Sequence, residues 1–141
     1  LMDFFCLINM KKIEHIGIAV ENIEKANSTF TKLLGTSNYK IEIVESEGVK
    51  TSFFKVGESK IELLEATNEE SPISKFIKKK GQGIHHLAFH VDDIEGEMVR
   101  LKKEGFILIN DNYKYGADNK KVCFLHPKST EGVLIELCQE K

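Results

Sequence analysis

Apolar and polar residues alternate along several short runs of the chain, and the first of these runs occurs twice. Residues 15–24 align with residues 86–95, and four of the aligned positions are identical. Because successive side chains of a strand point to opposite faces, this alternation predicts a β-strand in each copy. An internal repeat of about half the chain also predicts a duplicated structural module.

Each copy continues into a helical pattern that ends before a glycine. The predicted helices cover 23–34, before Gly35, and 94–104, before Gly105, with Asn22 and Asp93 as N-caps. Three strand patterns follow each helix, at 39–45, 49–56 and 59–65 in the first half and at 106–110, 120–126 and 132–138 in the second. The chain therefore predicts an α+β fold of two βαβββ modules.

These elements divide the chain into four parts. We expect an N-terminal extension at 1–10, a first module at 11–66, a linker at 67–83 and a second module at 84–141. Within the linker, Ser71 as N-cap and Pro72 as the first helical residue predict a short helix that ends at Lys80. This linker would allow the two modules of one chain, or modules of two chains, to build one site.

Composition narrows the classes of function. The 141 residues are 41% hydrophobic and 30% charged, with a formal net charge of -2, which is typical of a folded domain without a basic field for nucleic acid or anionic membranes. Three cysteines without metal-finger spacing indicate neither a disulfide framework nor a cysteine-bound metal. We expect a cytoplasmic protein with a small-molecule partner. The apolar start of the chain lacks the order of charges of a signal peptide.

A histidine in the first strand of each half is predicted to lie beside small residues. Alternation places His15 on the same face as Gly17 and Ala19, and His86 on the same face as Ala88. This arrangement leaves room for a ligand next to each imidazole.

A glutamate recurs at equivalent places in the last strand of each half. Glu62 and Glu136 lie in apolar runs and, by alternation, opposite the side chains that face the core. A carboxylate buried there without a partner would be costly. Together with His15 and His86 they would form a set of two imidazoles and two carboxylates. Such a set suits one divalent ion, such as Co, Zn, Ni or Mn.

The sequence resembles the vicinal oxygen chelate superfamily of glyoxalases, bleomycin-resistance proteins and dioxygenases, and within it the methylmalonyl-CoA epimerase family. The runs that carry the resemblance are 14–20, 60–65, 83–94, 124–129 and 132–137. The resemblance implies a half-open curved sheet, a homodimer, and metal ligands at His15, Glu62, His86 and Glu136.

The activity that this resemblance implies is a metal-dependent isomerisation. An epimerase of this family interconverts (R)- and (S)-methylmalonyl-CoA by removing the C2 proton through a metal-stabilised enolate, and we expect Glu136 to be the base. Two alternatives stay open: glyoxalase I (lactoylglutathione lyase), and a metal-free small-molecule-binding protein of the resistance type. The run His126-Pro127-Lys128-Ser129 favours the epimerase.

The remaining candidate residues concern substrate binding, a second base and the other histidines. Lys121, Lys128 and Ser129 are the predicted substrate-binding residues, because cations and a hydroxyl near the open edge would suit CoA phosphates. Where some epimerases carry a second glutamate base this chain has Thr51, and Glu47, Glu62 or a metal-bound water could replace it. His85, His90 and His126 have no counterpart in the other half, and we interpret them as structural or supporting residues.

Overall fold

A computed structural model describes residues 10–140, so residues 1–9 of the predicted extension lie outside the described residues, and its last residue, Met10, begins the first strand. The fold is of the α+β class, with three helices and eight strands in this part of the chain. In chain order they are β1 (Met10–Ala19), α1 (Ile23–Leu34), β2 (Lys40–Val44), β3 (Val49–Val56), β4 (Ser59–Ala66), α2 (Pro72–Lys80), β5 (Gly83–Val91), α3 (Ile94–Lys103), β6 (Lys114–Tyr115), β7 (Lys121–Leu125) and β8 (Ile135–Gln139). None of the described helices is long and apolar enough to cross a membrane.

The chain divides into two compact units, and the division falls inside β1 and β5. The first unit is His15–His86. Its strands follow the order β2-β3-β4-β1, in which β1 is parallel to β4 and the other neighbours are antiparallel. Gly17 pairs with Glu62, so the predicted ligand position of β4 lies directly beside the glycine of β1.

The second unit contains the described residues up to Glu14 and those from Leu87 onward. Its strands follow the order β5-β8-β7-β6, with β5 parallel to β8. Ala88 pairs with Glu136, which is the counterpart of the Gly17–Glu62 pair. The pairing register therefore repeats along with the sequence.

Two apolar clusters stabilise the first unit, one on each face of its sheet. Helix α1 covers the face that carries Val20, Phe54 and Leu63. The opposite face packs on α2 through Ala19, Val49, Leu64 and Ile73, with Phe76 and Ile77 at the edge of the cluster. Full burial of each large side chain contributes about 1.5–3 kcal/mol. Helix α2 is therefore packed onto the same face of the sheet as Gly17 and Glu62.

In the second unit, α3 packs on one face of the sheet. Its core combines Met98 and Leu101 of the helix with Leu125 and Leu137 of the sheet. A smaller cluster on the other face contains Ala88, Val122 and Cys138. Because Glu136 and Cys138 are two residues apart on β8, they share this second face.

Helices α1 and α3 start with a bond to a side chain of a strand in addition to their N-caps. The side chains of Asn22, Asp93 and Ser71 cap α1, α3 and α2, as predicted. In addition, Glu65 Oε2 accepts a hydrogen bond from Ile23 N at 3.1 Å, and Gln139 Oε1 accepts one from Ile94 N at 2.7 Å. In each module, a side chain of the last strand thus accepts a hydrogen bond from the first backbone N–H of the helix.

The prediction of a strand at 106–110 is wrong. This segment makes one isolated bridge, between Leu108 and Leu125, and the sixth strand is the short β6. The backbone N–H of Ile107 donates to Ser129 Oγ at 3.1 Å instead of to a strand partner. The predicted strand 132–138 also starts later, at Ile135.

Candidate metal centre

Two buried histidines of the first unit face each other through the same ring nitrogen. The Nε2 atoms of His15 and His86 lie 2.9 Å apart, and the two rings are perpendicular, with centroids 5.0 Å apart. His15 is 4% exposed and His86 is 6% exposed. The sequence predicted both as ligands, and the structure brings them into contact.

The other nitrogen of each ring has a neighbour of its own. Glu62 Oε2 lies 3.2 Å from Nδ1 of His15, and His85 Nδ1 lies 3.0 Å from Nδ1 of His86. Glu62 is also buried. Three of the four predicted ligands, His15, Glu62 and His86, are therefore neighbours, with Glu62 next to the nitrogen of His15 that points away from His86.

Gly17 provides the space that the ring of His86 occupies. A Cβ atom at this position would lie 2.6 Å from Nδ1 and 2.7 Å from Nε2 of His86, closer than real Cβ contacts allow. The sequence placed Gly17 on the histidine face but gave no sign that the imidazole of another strand lies directly over it.

The separation of the two imidazole nitrogens fits a shared divalent ion. Nitrogens that bind one ion at about 2.1 Å each lie about 3.0–3.4 Å apart, for bond angles between 90° and the tetrahedral angle. The 2.9 Å distance between the Nε2 atoms is close to the lower end of this range. Neutral imidazoles with a carboxylate close by suit Zn, Co, Ni or Mn. The side chains present therefore fit the metal that the resemblance implies.

Glu136, the predicted base and fourth ligand, belongs to the second unit. It is buried on β8, and its Oε2 accepts a hydrogen bond from the thiol of Cys138 at 3.1 Å. Burial raises the pKa of the nearby Cys123 thiol to about 12, and the charge of Glu136 adds to this rise. Cys123 is therefore a neutral thiol at neutral pH.

A buried ion pair was not predicted from the sequence. In the second unit, Lys120 Nζ lies 2.6 Å from Glu14 Oε2, and both side chains are almost fully buried. Glu14 directly precedes His15 in β1. From the sequence, Lys120 was predicted as the first residue of the strand 120–126, and nothing there indicated burial; in the structure it directly precedes β7.

The predicted substrate-binding residues lie on β7 and in the turn that follows it. Lys121 Nζ lies 4.9 Å from the centroid of the Tyr113 ring, and Lys128 is exposed in the turn Pro127–Ser129. The hydroxyl of Ser129 holds the turn, because it accepts from Ile107 N and donates to the carbonyl of His126.

Thr51, which stands where some epimerases carry a second glutamate, is buried within β3. Of the two glutamates that could replace this base, Glu47 ends the 3₁₀ turn Glu45–Glu47 that precedes β3. Glu62 is the carboxylate beside His15 described above.

Sequence comparison places the protein in a family. The pattern of the Glyoxalase/Bleomycin resistance protein/Dioxygenase superfamily matches residues 14–124. The chain belongs to this superfamily, which confirms the resemblance inferred from the sequence.

Within the superfamily, relatives named methylmalonyl-CoA epimerase are similar over most of the chain. The mitochondrial methylmalonyl-CoA epimerase of Mus musculus is 38% identical over 91% of this chain and 72% of the relative. An uncharacterized protein of Bacillus subtilis, YqjC, is 39% identical over 94% of each chain.

Solved structures confirm the glyoxalase-like fold. A hypothetical protein from Bacillus halodurans superimposes with a TM-score of 0.90, at 47% identity and over 92% of this chain and 94% of the other. A variant of the Streptomyces coelicolor methylmalonyl-CoA epimerase in complex with 2-nitronate-propionyl-CoA has a TM-score of 0.89, at 31% identity and over 93% and 98% of the two chains. A methylmalonyl-CoA epimerase in complex with methylmalonyl-CoA and NH4+ gives the same TM-score and identity, over 93% and 95%.

Proposed function

We propose that this protein is a metal-dependent methylmalonyl-CoA epimerase, which interconverts the (R) and (S) forms of methylmalonyl-CoA. The observation that carries the proposal is the buried His15–His86 pair, with its Nε2 atoms 2.9 Å apart. The relatives named methylmalonyl-CoA epimerase, and the solved relative that holds methylmalonyl-CoA, support the choice of substrate.

In this proposal one divalent ion is held by His15, Glu62, His86 and Glu136. Glu62 is included because the resemblance implies it and because its carboxylate is buried beside His15, where its Oε2 contacts Nδ1, the nitrogen that points away from His86. Glu136 is supported by its place in the repeat, because it pairs with Ala88 as Glu62 pairs with Gly17, and because its carboxylate is buried. A buried carboxylate without a cation nearby would be costly.

The reaction needs a base that removes the proton from C2, between the thioester and the carboxylate of the substrate. We assign this role to Glu136. The C2–H bond breaks, the proton moves to a carboxylate oxygen of Glu136, and the electron pair moves into the thioester carbonyl to give an enolate. A second acid on the opposite face, for which Glu47 and Glu62 are the candidates, returns a proton to C2 and gives the other epimer. A bound divalent ion supplies Lewis-acid charge that stabilises the enolate more than the ground state.

Binding of the CoA part is assigned to the end of β7 and the turn after it. Exposed Lys128 can contact phosphate, and Lys121 lies on the preceding strand. Ser129 orders the turn that presents Lys128. The homodimer implied by the family stays a prediction, which light scattering can test. The cytoplasmic location also stays a prediction.

Exchange of the C2 proton with solvent tests the function directly. The chain loaded with Co²⁺ should introduce deuterium from D2O into C2 of methylmalonyl-CoA. Glu136→Gln should lower this rate about 100- to 10,000-fold, because an amide cannot accept the proton. Glu131→Gln, a change of an exposed glutamate, is the matched control and should keep the wild-type rate.

Three other results would overturn the proposal. No exchange by the loaded wild-type chain would exclude epimerase activity. Formation of lactoylglutathione from methylglyoxal and glutathione, without exchange at C2, would identify glyoxalase I. Failure to retain any divalent ion after loading and desalting would favour a metal-free binding protein.

A further inference from the structure

His85 and His86 are neighbours in sequence, yet their rings are in contact. Strand alternation would point adjacent side chains to opposite faces. Instead, the Nδ1 atoms of the two residues lie 3.0 Å apart and the rings are perpendicular, with centroids 5.2 Å apart. The ring of His85 is therefore turned toward the imidazole that faces His15.

This contact determines which nitrogen of His86 is free to bind a metal. A neutral imidazole carries its proton on one nitrogen and a lone pair on the other. If Nδ1 of His86 donates its proton to Nδ1 of His85, the lone pair of His86 is on Nε2, the atom that faces His15. His15 has the equivalent support, because its own Nδ1 contacts Glu62. Histidines that bind metals usually donate their second N–H to such a partner.

Helix α2 holds the ring of His85 in place. The ring of Phe76 meets it edge to face, with centroids 5.0 Å apart and an interplanar angle of 84°. Phe76 is itself fixed, because α2 packs through Ile73 and Ile77 on the apolar cluster of the sheet. A continuous series of contacts therefore runs from the linker helix through His85 to His86.

We propose that His85 is a positioning residue for the metal centre, which acts as the hydrogen-bond acceptor that directs Nε2 of His86 to the ion. The proposal rests on the proposed role of His86 as a ligand. It gives the linker helix a function beyond joining the modules, because Phe76 fixes the orientation of the acceptor.

The Co²⁺ affinities of the full chain and its variants distinguish a hydrogen-bonding role of His85 from a packing role. The probe is Co²⁺ alone, titrated in competition with a chromophoric chelator. His85→Leu keeps an apolar side chain of moderate size but removes the acceptor, and should weaken Co²⁺ binding about 10- to 100-fold. His85→Asn keeps an acceptor one bond from Cγ, where His85 has Nδ1, and should retain most of the affinity.

Two further variants complete the set. His90→Leu changes another histidine of β5, whose Nδ1 has no hydrogen-bond partner among the described residues, and should leave the affinity unchanged. Phe76→Leu keeps apolar contact with the sheet but removes the edge-to-face contact, and should weaken binding about 2- to 10-fold. This variant tests the same series of contacts if His85→Leu fails to fold.

Turnover provides a second readout. A residue that acts only through metal binding should affect kcat little once Co²⁺ saturates the site. We therefore expect His85→Leu to recover most of its kcat in excess Co²⁺, whereas His86→Ala should not.

The possible failures can be distinguished. If the wild-type chain does not bind Co²⁺, the proposed metal-dependent function fails. If it binds Co²⁺ but His85→Leu binds equally well, or if His85→Asn loses as much affinity as His85→Leu, the proposal for His85 is overturned while the function stands.

Discussion

Gly17 affects the candidate metal centre through the side chain that it lacks. Its Cα lies under the ring of His86, where a Cβ atom would be 2.6 Å from Nδ1. We predict that Gly17→Ala displaces the imidazole, weakens Co²⁺ binding and lowers the free energy of unfolding by about 1–3 kcal/mol, the usual cost of overpacking. Chelator competition and urea unfolding measure the two effects.

A double variant provides the control for this prediction. If the clash with the ring causes the loss of stability, adding Gly17→Ala to His86→Ala should cost little, because the ring is no longer present. A double variant that is 1–3 kcal/mol less stable than His86→Ala, about as large a loss as in the wild-type background, would show that the strain lies in the backbone of β1 instead.

Also at the residue scale, the alternation of apolar and polar positions predicted which face of a strand a side chain lies on, but not which other side chains it contacts. It placed His15 and Gly17 on one face, and their pairing with β4 agrees with this assignment. Alternation could not predict that Nδ1 of His86 contacts Nδ1 of His85. This contact depends on side-chain rotation and on Phe76, which packs against His85 and precedes it by 9 residues. Ring orientation is set by packing, which a one-dimensional pattern does not contain.

At the scale of elements, helices α1 and α3 start where a strand supplies an additional acceptor. Gln139 of β8 accepts from Ile94 N at 2.7 Å, as Glu65 of β4 accepts from Ile23 N. The first amides of a helix have no partner within the helix, so each such bond satisfies a donor that would otherwise depend on water. These bonds also connect each helix to the last strand of its module.

We predict that Gln139→Leu lowers the free energy of unfolding by about 0.5–2 kcal/mol, because Leu is similar in size but cannot accept the bond from Ile94. Gln139→Glu keeps an acceptor and adds negative charge at the helix N-terminus, so it should be at least as stable as the wild type. Urea unfolding of both variants checks this. Equal stability of the Leu and Glu variants would show that the bond contributes nothing.

Elements with strong local signals were predicted best. Helix α1 and strand β3 have the predicted bounds, because the first has an N-cap and a terminal glycine and the second is rich in β-branched and aromatic residues. The segment 106–110 also alternates, with Phe106 and Leu108 packed on the core and Ile107 exposed, yet it makes only isolated contacts with β7. Alternation reports which side chains are buried, and a regular strand also needs a neighbour in register.

At the scale of the whole molecule, the internal duplication of the sequence explains why a few repeated residues were enough to predict much of the fold. The two units repeat the order of their elements, the register of the ligand strands and the acceptor at each helix start. The sequence repeat therefore predicted the repeated order of elements within the α+β fold. The buried Lys120–Glu14 pair has no such signal, because Lys120 and Glu14 are 106 residues apart in sequence.

The proposed metal ion should stabilise the folded chain as a whole. Because the ion binds the native state and the separated ligands of the unfolded chain bind it weakly, free Co²⁺ at 100 times its Kd should add about 2.7 kcal/mol to the free energy of unfolding. His86→Ala should lose most of this increment. Glu136→Leu should lose a large part of it, whereas Glu131→Gln should keep it. Urea unfolding with and without Co²⁺ measures the increment for each variant. An increment that is unaffected by Glu136→Leu would remove Glu136 from the proposed ligand set.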